Sequence, residues 1–106
     1  MKTTITLFLV ILLSTGCATH PATRINTCIN NMRIIDASTE QNALVQNLTD
    51  GDIVPREDIS SYIRNGIDSL VCPAGGEYQF GTVGTDPACS IHGTLSDATF
   101  QRPKRQ

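Results

Sequence analysis

The feature of this sequence that most restricts its fold is a long stretch of apolar residues with helical spacing. Five of them recur with three- and four-residue spacings, as in the pairs 25/28, 25/29, 28/32, 29/32 and 32/35: Ile25, Cys28, Ile29, Met32 and Ile35. Residues spaced in this way lie on one face of an α-helix. The stripe then broadens to include Ala43, Leu44 and Leu48. The pattern predicts one amphipathic helix from Arg24 to about Asn47, with its apolar face against a core.

A second, shorter helix is predicted after a turn. Thr49-Asp-Gly-Asp52 has turn composition and ends the first helix. Pro55, followed by Glu57 and Asp58, is typical of a first helical turn, because proline needs no N–H donor there and carboxylates favour the positive helix end. The residues expected on its buried side are Ile59, Tyr62, Ile63 and Ile67.

Residues 74–91 combine strand formers with turn residues and predict a β-hairpin. Tyr78 and Phe80 on the first strand are expected to face Cys89 and Ile91 on the second, with the bend near Gly84-Thr-Asp-Pro87. The predicted class is therefore α+β, with a long N-terminal amphipathic helix and a short second helix packed on a small antiparallel sheet. The residues expected in the core include Cys28, Ile29, Met32, Ile35, Leu44 and Tyr78.

The N-terminal residues have the pattern of a secretory signal peptide. Lys2 precedes the apolar run Ile5–Leu13, which has about half the ~20 residues that a membrane-spanning helix needs. Leu13-Ser14-Thr15-Gly16-Cys17 then resembles the lipobox of bacterial lipoproteins. That resemblance implies cleavage before Cys17 and attachment of lipid to its sulfur. The alternative is an ordinary signal peptide that leaves Cys17 as a thiol or in a disulfide.

These patterns divide the chain into four parts: a signal peptide (1–16), a lipid-anchored tether (17–23), the α+β domain (24–95) and a flexible tail (96–106). The expected location is the cell envelope, on a lipid bilayer and facing the periplasm or at the outer membrane. Ala18 supports the outer membrane, because the absence of aspartate after the cysteine resembles the signal for sorting there.

Composition argues against several classes of function. The 106 residues have a formal net charge of −2 with dispersed carboxylates, so nucleic acid is not expected as a partner. Three Phe, two Tyr and no Trp leave few large groups with which to build a deep cleft. The chain has two histidines and no G-x-S-x-G nucleophile motif. We therefore expect no enzymatic activity, no cofactor and no small-molecule substrate.

Cysteine usage predicts one disulfide. If Cys17 carries lipid, an odd number of cysteines remains in a compartment that permits disulfides: Cys28, Cys72 and Cys89. Cys72 and Cys89 flank the predicted hairpin, where cross-strand placement brings Cβ atoms within bonding range. The expected bridge is Cys72–Cys89, which by the chain-entropy account stabilises the fold by about 3 kcal/mol. Cys28 is then a buried thiol on the helix.

A different interpretation of the same residues is a metal site. Cys89-x-x-His92 has the spacing of a ligand pair, and Cys28 and Cys72 would complete a tetrahedral Cys₃His zinc site. In that case the chain is a small periplasmic metal-binding protein. An exported chain without a second paired-cysteine motif favours the disulfide instead.

Two separated motifs resemble a known family. Cys28-Ile-Asn-Asn-Met-Arg-Ile-Ile-Asp-Ala-Ser-Thr-Glu-Gln41 is similar to the helix of bacterial type IV pilin-like proteins and type II secretion pseudopilins. Cys72-Pro-Ala-Gly-Gly-Glu-Tyr78 and Cys89-Ser-Ile-His-Gly93 resemble the same group's hairpin. The resemblance covers about residues 28–93 and implies a long helix packed on a small antiparallel sheet, in a structural subunit or filament tip.

The chain departs from that family at its N-terminus. The resemblance implies a prepilin-peptidase site followed by a long apolar helix with an early glutamate, whereas this chain has a short leader and Cys17. The position where relatives often carry tryptophan is Asn42. We therefore expect a pilin-like structural or interaction domain tethered by lipid, with envelope, secretion or pilus proteins as partners. The alternative is a minor pseudopilin of a type II secretion or type IV pilus system.

Overall fold

The structure is a computed structural model that describes residues 21–101. The predicted signal peptide, Cys17 and residues 102–106 lie outside the described residues. Three α-helices are present within that range: α1 (Pro21–Gln46), α2 (Arg56–Ser61) and α3 (Leu95–Gln101). Three short strands form one sheet: β1 (Tyr78–Gln79), β2 (Ala88–Cys89) and β3 (Gly93–Thr94). The predicted α+β class, with a long first helix and a small antiparallel sheet, is confirmed.

Helix α1 ends where the turn residues predicted it would. Asn47 has a positive φ of 56°, a conformation that asparagine tolerates better than most residues. The backbone N–H of Leu48 then donates to the carbonyl oxygen of Ala43 at 2.8 Å, which satisfies a carbonyl that the last helical turn leaves free. At its other end α1 includes residues 21–23, which the sequence placed in the tether.

The buried face of α1 changes from apolar to polar along its length. Its first half buries Ile25, Cys28, Ile29, Met32 and Ile35, as predicted, and its second half buries Ser38, Thr39, Asn42 and Ala43. The hydroxyls of Ser38 and Thr39 donate to the carbonyls of Ile34 and Ile35, four residues earlier. Both hydroxyls are thus satisfied within the helix itself.

Leu44 does not belong to the core. Its side chain is 74% exposed, so its assignment to the core was wrong. Successive helical residues are rotated by about 100°, and the buried Ala43 occupies the inward direction. Leu44, the next residue, is therefore turned toward solvent, even though it is the larger apolar side chain.

The buried Asn42 offers a way to stabilise the protein. Its side chain is 3% exposed, and its Oδ1 has no hydrogen-bond partner among the described residues. A buried polar atom without a partner costs about 1–3 kcal/mol. We expect Asn42→Leu to raise the free energy of unfolding by about 1 kcal/mol, measured by urea denaturation. Gln41→Leu, at the neighbouring exposed position, is the control, and a loss of stability in Asn42→Leu alone would contradict the expectation.

Asp36 on α1 makes stability depend on pH. Burial, and then the carboxylates of Glu40 and Asp86, raise the pKa of Asp36 above its ordinary value of 3.8. The folded state therefore holds this proton more tightly than the unfolded chain, and the protein loses stability as the pH rises from about 3.8 through the raised pKa. We expect Asp36→Asn to remove this loss.

The gain from Asp36→Asn at neutral pH should be at least the ~0.2–0.5 kcal/mol of one like-charge pair four residues apart on a helix. It should shrink as the pH is lowered toward 4, which urea denaturation at several pH values measures. Glu77→Gln, at an exposed carboxylate, serves as the control. A gain from Asp36→Asn that is the same at pH 4 and pH 7 would refute the assignment.

The sheet has the order β1-β2-β3, with both neighbouring pairs antiparallel. Tyr78 pairs with Cys89, which confirms that part of the predicted hairpin register. Ile91 is 54% exposed, because it lies in the turn between β2 and β3 and not on a strand facing β1. The third strand was not predicted.

A second antiparallel contact connects the segment after α1 to the hairpin. The backbone N–H of Val54 donates to the carbonyl of Gly81 at 2.7 Å, and that of Val83 donates to the carbonyl of Asp52 at 2.9 Å. Ile53 and Thr82 pair as an isolated bridge between them. The turn predicted at residues 49–52 therefore leads directly into strand-like pairing.

The buried residues form two apolar clusters on the same side of α1. The first contains Ile25, Cys28, Ile29, Met32, Cys72, Cys89 and Ala98. The second contains Ile35, Ala43, Val54, Ile59, Ile63, Ile67 and Val83. Tyr78, which was predicted in the core, is only partly buried and packs against both clusters from their edge.

Helix α2 is shorter than predicted, and the chain then forms a 3₁₀ turn at Ile67–Ser69. Ile59, Ile63 and Ile67 are buried as expected, but Tyr62 is 42% exposed. Tyr62 is the C-cap residue of α2, and its side chain lies toward solvent, whereas Ile63 after it is buried.

The end of the described chain is part of the fold. Helix α3 covers Leu95–Gln101, and its Ala98 is fully buried in the first cluster with Leu95 packed beside it. The predicted flexible tail from residue 96 is therefore wrong as far as residue 101. Small residues such as alanine give little hydrophobic signal in a sequence, yet they allow a helix to approach closely.

Candidate functional site

The first residue of the candidate site is Cys28, on the buried face of α1. Its side chain is fully buried, between Ile25 and Ile29 on the same helical face. Because α1 is 26 residues long and packs along its length, the position of this sulfur is fixed by the helix and not by a loop.

Cys72 and Cys89 approach Cys28 from the loop and the sheet. Cys72 precedes β1 in a tight turn, in which the N–H of Gly75 donates to the Cys72 carbonyl at 2.9 Å. Cys89 is the last residue of β2. Their sulfurs lie 3.7 Å apart, and both side chains are buried. The structure therefore brings together the two cysteines that the sequence paired, but as separate thiols without a disulfide.

His92 completes the cluster from the turn between β2 and β3. Gly93 follows it with a φ of 83°, which lets the chain reverse so that Gly93 pairs with Cys89. The ring Nδ1 of His92 lies 3.5 Å from the sulfur of Cys72 and 3.6 Å from that of Cys89. The side chain is half-buried, unlike the three cysteines.

Four groups that can bind a metal thus converge at one point. The three sulfurs and the histidine nitrogen all lie within 4.8 Å of one another. They come from α1, the loop before β1, the end of β2 and the following turn. Of the segments that build the first apolar cluster, only α3 contributes no ligand to this group of four.

The protein environment treats the thiols differently. Burial raises the pKa of the Cys28 thiol to about 12, and the neighbouring Cys89 and Cys72 add to this effect. Burial also raises the pKa of Cys89, but backbone N–H groups of His92 and Ile91 donate to its sulfur and bring the net pKa below its ordinary value. The turn after β2 is therefore built to stabilise a thiolate at Cys89.

Polar residues support Cys28 from the other side. The Nδ2 of Asn31 donates to the hydroxyl of Tyr78 and to the carbonyl of Val71, each at 3.0 Å. The Tyr78 hydroxyl is in turn hydrogen-bonded to Cys28. This hydrogen bond lowers the pKa of the Cys28 thiol, but burial raises that pKa by more. Burial in turn raises the pKa of Tyr78. Asn31 thus positions the Tyr78 hydroxyl that interacts with Cys28.

Gly76 leaves the space that the sulfurs occupy. A Cβ at this position would overlap the sulfur of Cys89 and lie 3.3 Å from that of Cys72. The six other glycines in the described part of the chain have a positive φ, but Gly76 does not. It is required because the sulfurs approach its backbone.

Sequence reasoning found the four members of this cluster but not the residues around them. Cys28, Cys72, Cys89 and His92 were named as the alternative to a disulfide, and the structure places them together. Asn31 and Gly76 were missed as parts of the site. The one signal for Asn31 was an amide three residues after Cys28 on a helical face that is otherwise apolar.

The chain matches no protein-family model, no curated protein and no solved structure. The resemblance to pilin-like proteins therefore stays a prediction from the two motifs. Among the described residues, no helix has the length and apolar character needed to cross a bilayer.

Proposed function

We propose that this chain is a non-enzymatic structural domain of pilin-like type, held at the cell envelope by lipid on Cys17. The observation that carries the proposal is the position of the reactive side chains. Cys28, Cys72 and Cys89 are 0–3% exposed and lie between α1 and the sheet. Groups enclosed in this way hold parts of a fold together, whereas catalytic groups need access to a substrate.

The proposed anchor would keep the domain against the membrane surface. The described part of helix α1 starts at Pro21, four residues after Cys17 in the sequence. Four residues of extended chain span at most about 14 Å. A lipid on Cys17 would therefore hold the start of α1 close to the headgroups, and acyl chains contribute about 0.8 kcal/mol per buried methylene to that attachment.

The pilin-like part of the proposal concerns how the domain is used. A long helix packed on a small antiparallel sheet is the arrangement that the two sequence motifs imply. Its proposed partners are proteins of the envelope or of a secretion or pilus machine. The minor-pseudopilin alternative requires cleavage by a prepilin peptidase instead of the lipoprotein peptidase, so the mature N-terminus separates the two.

Intact mass of the protein extracted from membranes tests the anchor. The expected result is a chain that begins at Cys17 and carries acyl groups, with incorporation of labelled fatty acid and retention in the membrane fraction. The matched variant Cys17→Ser should be unlabelled. A wild-type protein without acyl groups that leaves the membrane fraction in salt washes would overturn the anchor, and a different mature N-terminus would favour the pseudopilin.

A further inference from the structure

We infer that Cys28, Cys72, Cys89 and His92 form a structural Zn²⁺ site that holds α1 to the sheet. The inference deepens the proposed function, because it names the ligand of the buried cluster. It rests on the structural role proposed for that cluster and is independent of the lipid anchor.

The distances among Cys72, Cys89 and His92 are those of a tetrahedral zinc site. Zinc lies about 2.3 Å from a thiolate sulfur and about 2.0–2.1 Å from an imidazole nitrogen. Tetrahedral geometry then separates two sulfurs by about 3.8 Å, and a sulfur from a nitrogen by about 3.5 Å. The structure has 3.7 Å between the sulfurs of Cys72 and Cys89, and 3.5 and 3.6 Å from His92 Nδ1 to these sulfurs.

The fourth ligand, Cys28, closes the site. Its sulfur lies within 4.8 Å of the other three ligand atoms, on the side of the helix. Four protein ligands leave no open position for water or substrate, which is typical of structural zinc sites and unlike catalytic ones. Thiolate and imidazole ligands favour Zn²⁺ over Mg²⁺ and Ca²⁺, which prefer oxygen.

The surroundings contain the outer hydrogen bonds that metal sites require. Backbone N–H groups of Ile91 and His92 donate to the sulfur of Cys89. On the opposite side, Asn31 holds the Tyr78 hydroxyl, which is hydrogen-bonded to Cys28. Such outer-shell partners orient the ligands, and their loss typically costs 10–100-fold in metal affinity.

Gly76 supplies an independent geometric argument. Its missing Cβ provides the room in which the sulfurs of Cys72 and Cys89 lie side by side. A zinc ion is also consistent with the size of the domain, because a chain with so few large apolar side chains needs a further source of stability. Metal binding supplies it, since a site formed only in the folded state stabilises that state.

The first test is metal content. The full chain, as wild type and as Cys17→Ser, is purified in detergent without chelator under anaerobic conditions. We expect about one Zn²⁺ per chain in both proteins. In Co²⁺-substituted protein we expect the strong visible bands of tetrahedral cobalt, together with a sulfur-to-cobalt charge-transfer band. Cys17→Ser cannot carry lipid at that position but keeps all four proposed zinc ligands. Loss of the anchor is therefore seen as missing acyl groups, and loss of the site as missing zinc, and the two results can be told apart.

Variants of the ligands locate the site. His92→Ala should weaken zinc binding by more than the roughly 10–100-fold expected for the outer-shell variant Tyr78→Phe. His92→Cys, which keeps a ligand, should retain the metal and the tetrahedral cobalt spectrum. His20→Asn, at the other histidine of the chain, is the matched control and should bind zinc as the wild type does.

Three results would overturn the inference. One is folded wild-type protein that lacks zinc and takes up neither Zn²⁺ nor Co²⁺ with its three thiols reduced. Another is a Cys72–Cys89 disulfide in the anaerobically purified protein, seen as a mass two daltons lower before reduction. The third is zinc binding and a cobalt spectrum that are unchanged in both His92→Ala and Cys28→Ser.

Discussion

An alanine at Gly76 is expected to lower the free energy of unfolding by more than the ~1–3 kcal/mol that overpacking usually costs. The new Cβ would overlap the sulfur of Cys89 and press on that of Cys72. The sulfurs would have to separate, so the variant should also lose the zinc site and the stability that the metal contributes. Urea denaturation and Co²⁺ titration of the same preparation measure the two effects.

Gly75→Ala is the matched control for Gly76→Ala. Gly75 has a φ of 86°, and a Cβ there would have no heavy atom within 4 Å. Alanine at this position should cost about 1–2 kcal/mol through backbone strain alone and should still bind cobalt tetrahedrally. If both variants bind cobalt equally well, the sulfurs do not occupy the position that the structure assigns to them.

The zinc inference and the predicted disulfide compete for the same two sulfurs. A Cys72–Cys89 disulfide removes two of four ligands, and Cys28 with His92 alone cannot form a closed tetrahedral site. Sequence spacing did not decide between them, since the hairpin that places the two cysteines near each other serves both. The observation that favours zinc is the position of Cys28 and His92, which depends on how α1 and the turn after β2 pack together.

The apolar spacing of α1 was enough to predict its first half but not its second. Up to Ile35 the buried residues are apolar except for Asn31, so hydrophobicity and helical phase largely agree. Beyond it, three of the four buried side chains are polar (Ser38, Thr39 and Asn42, beside Ala43), and the largest apolar side chain, Leu44, is exposed. In the second half of α1, the apolar residues therefore do not mark the buried face. Tertiary packing, and not the hydrophobicity of each residue, determines which side of the helix is buried there.

The short elements β3 and α3 could not be predicted from the sequence either. Strand β3 has two residues, and α3 buries mainly one alanine, so neither has a periodic signal. Their position follows from the turn at His92-Gly93, which brings β3 back along β2 and leads directly into α3. That same turn presents His92 to the cysteines, so the least predictable part of the fold is also the part that completes the site.

Met32→Ala is expected to destabilise the protein by about 2–5 kcal/mol, because it leaves a cavity in the first apolar cluster. Met32 is fully buried there, beside Cys28 and Ile29 on α1. Leu44→Ala, on the same helix at a position that is 74% exposed, should change the free energy of unfolding by no more than about 0.5 kcal/mol. Both are measured by urea denaturation at equal metal saturation.

The comparison of these two variants tests which face of α1 is buried. Sequence hydrophobicity assigns both residues to the core, whereas the structure assigns Met32 alone. A large loss at both positions would mean that the second half of α1 is rotated relative to the structure or covered by a partner. If only Met32→Ala lowers the free energy of unfolding strongly, the buried face of α1 is the one that the structure describes. The same face includes Cys28, so the core and the proposed zinc ligands lie on one side of the helix.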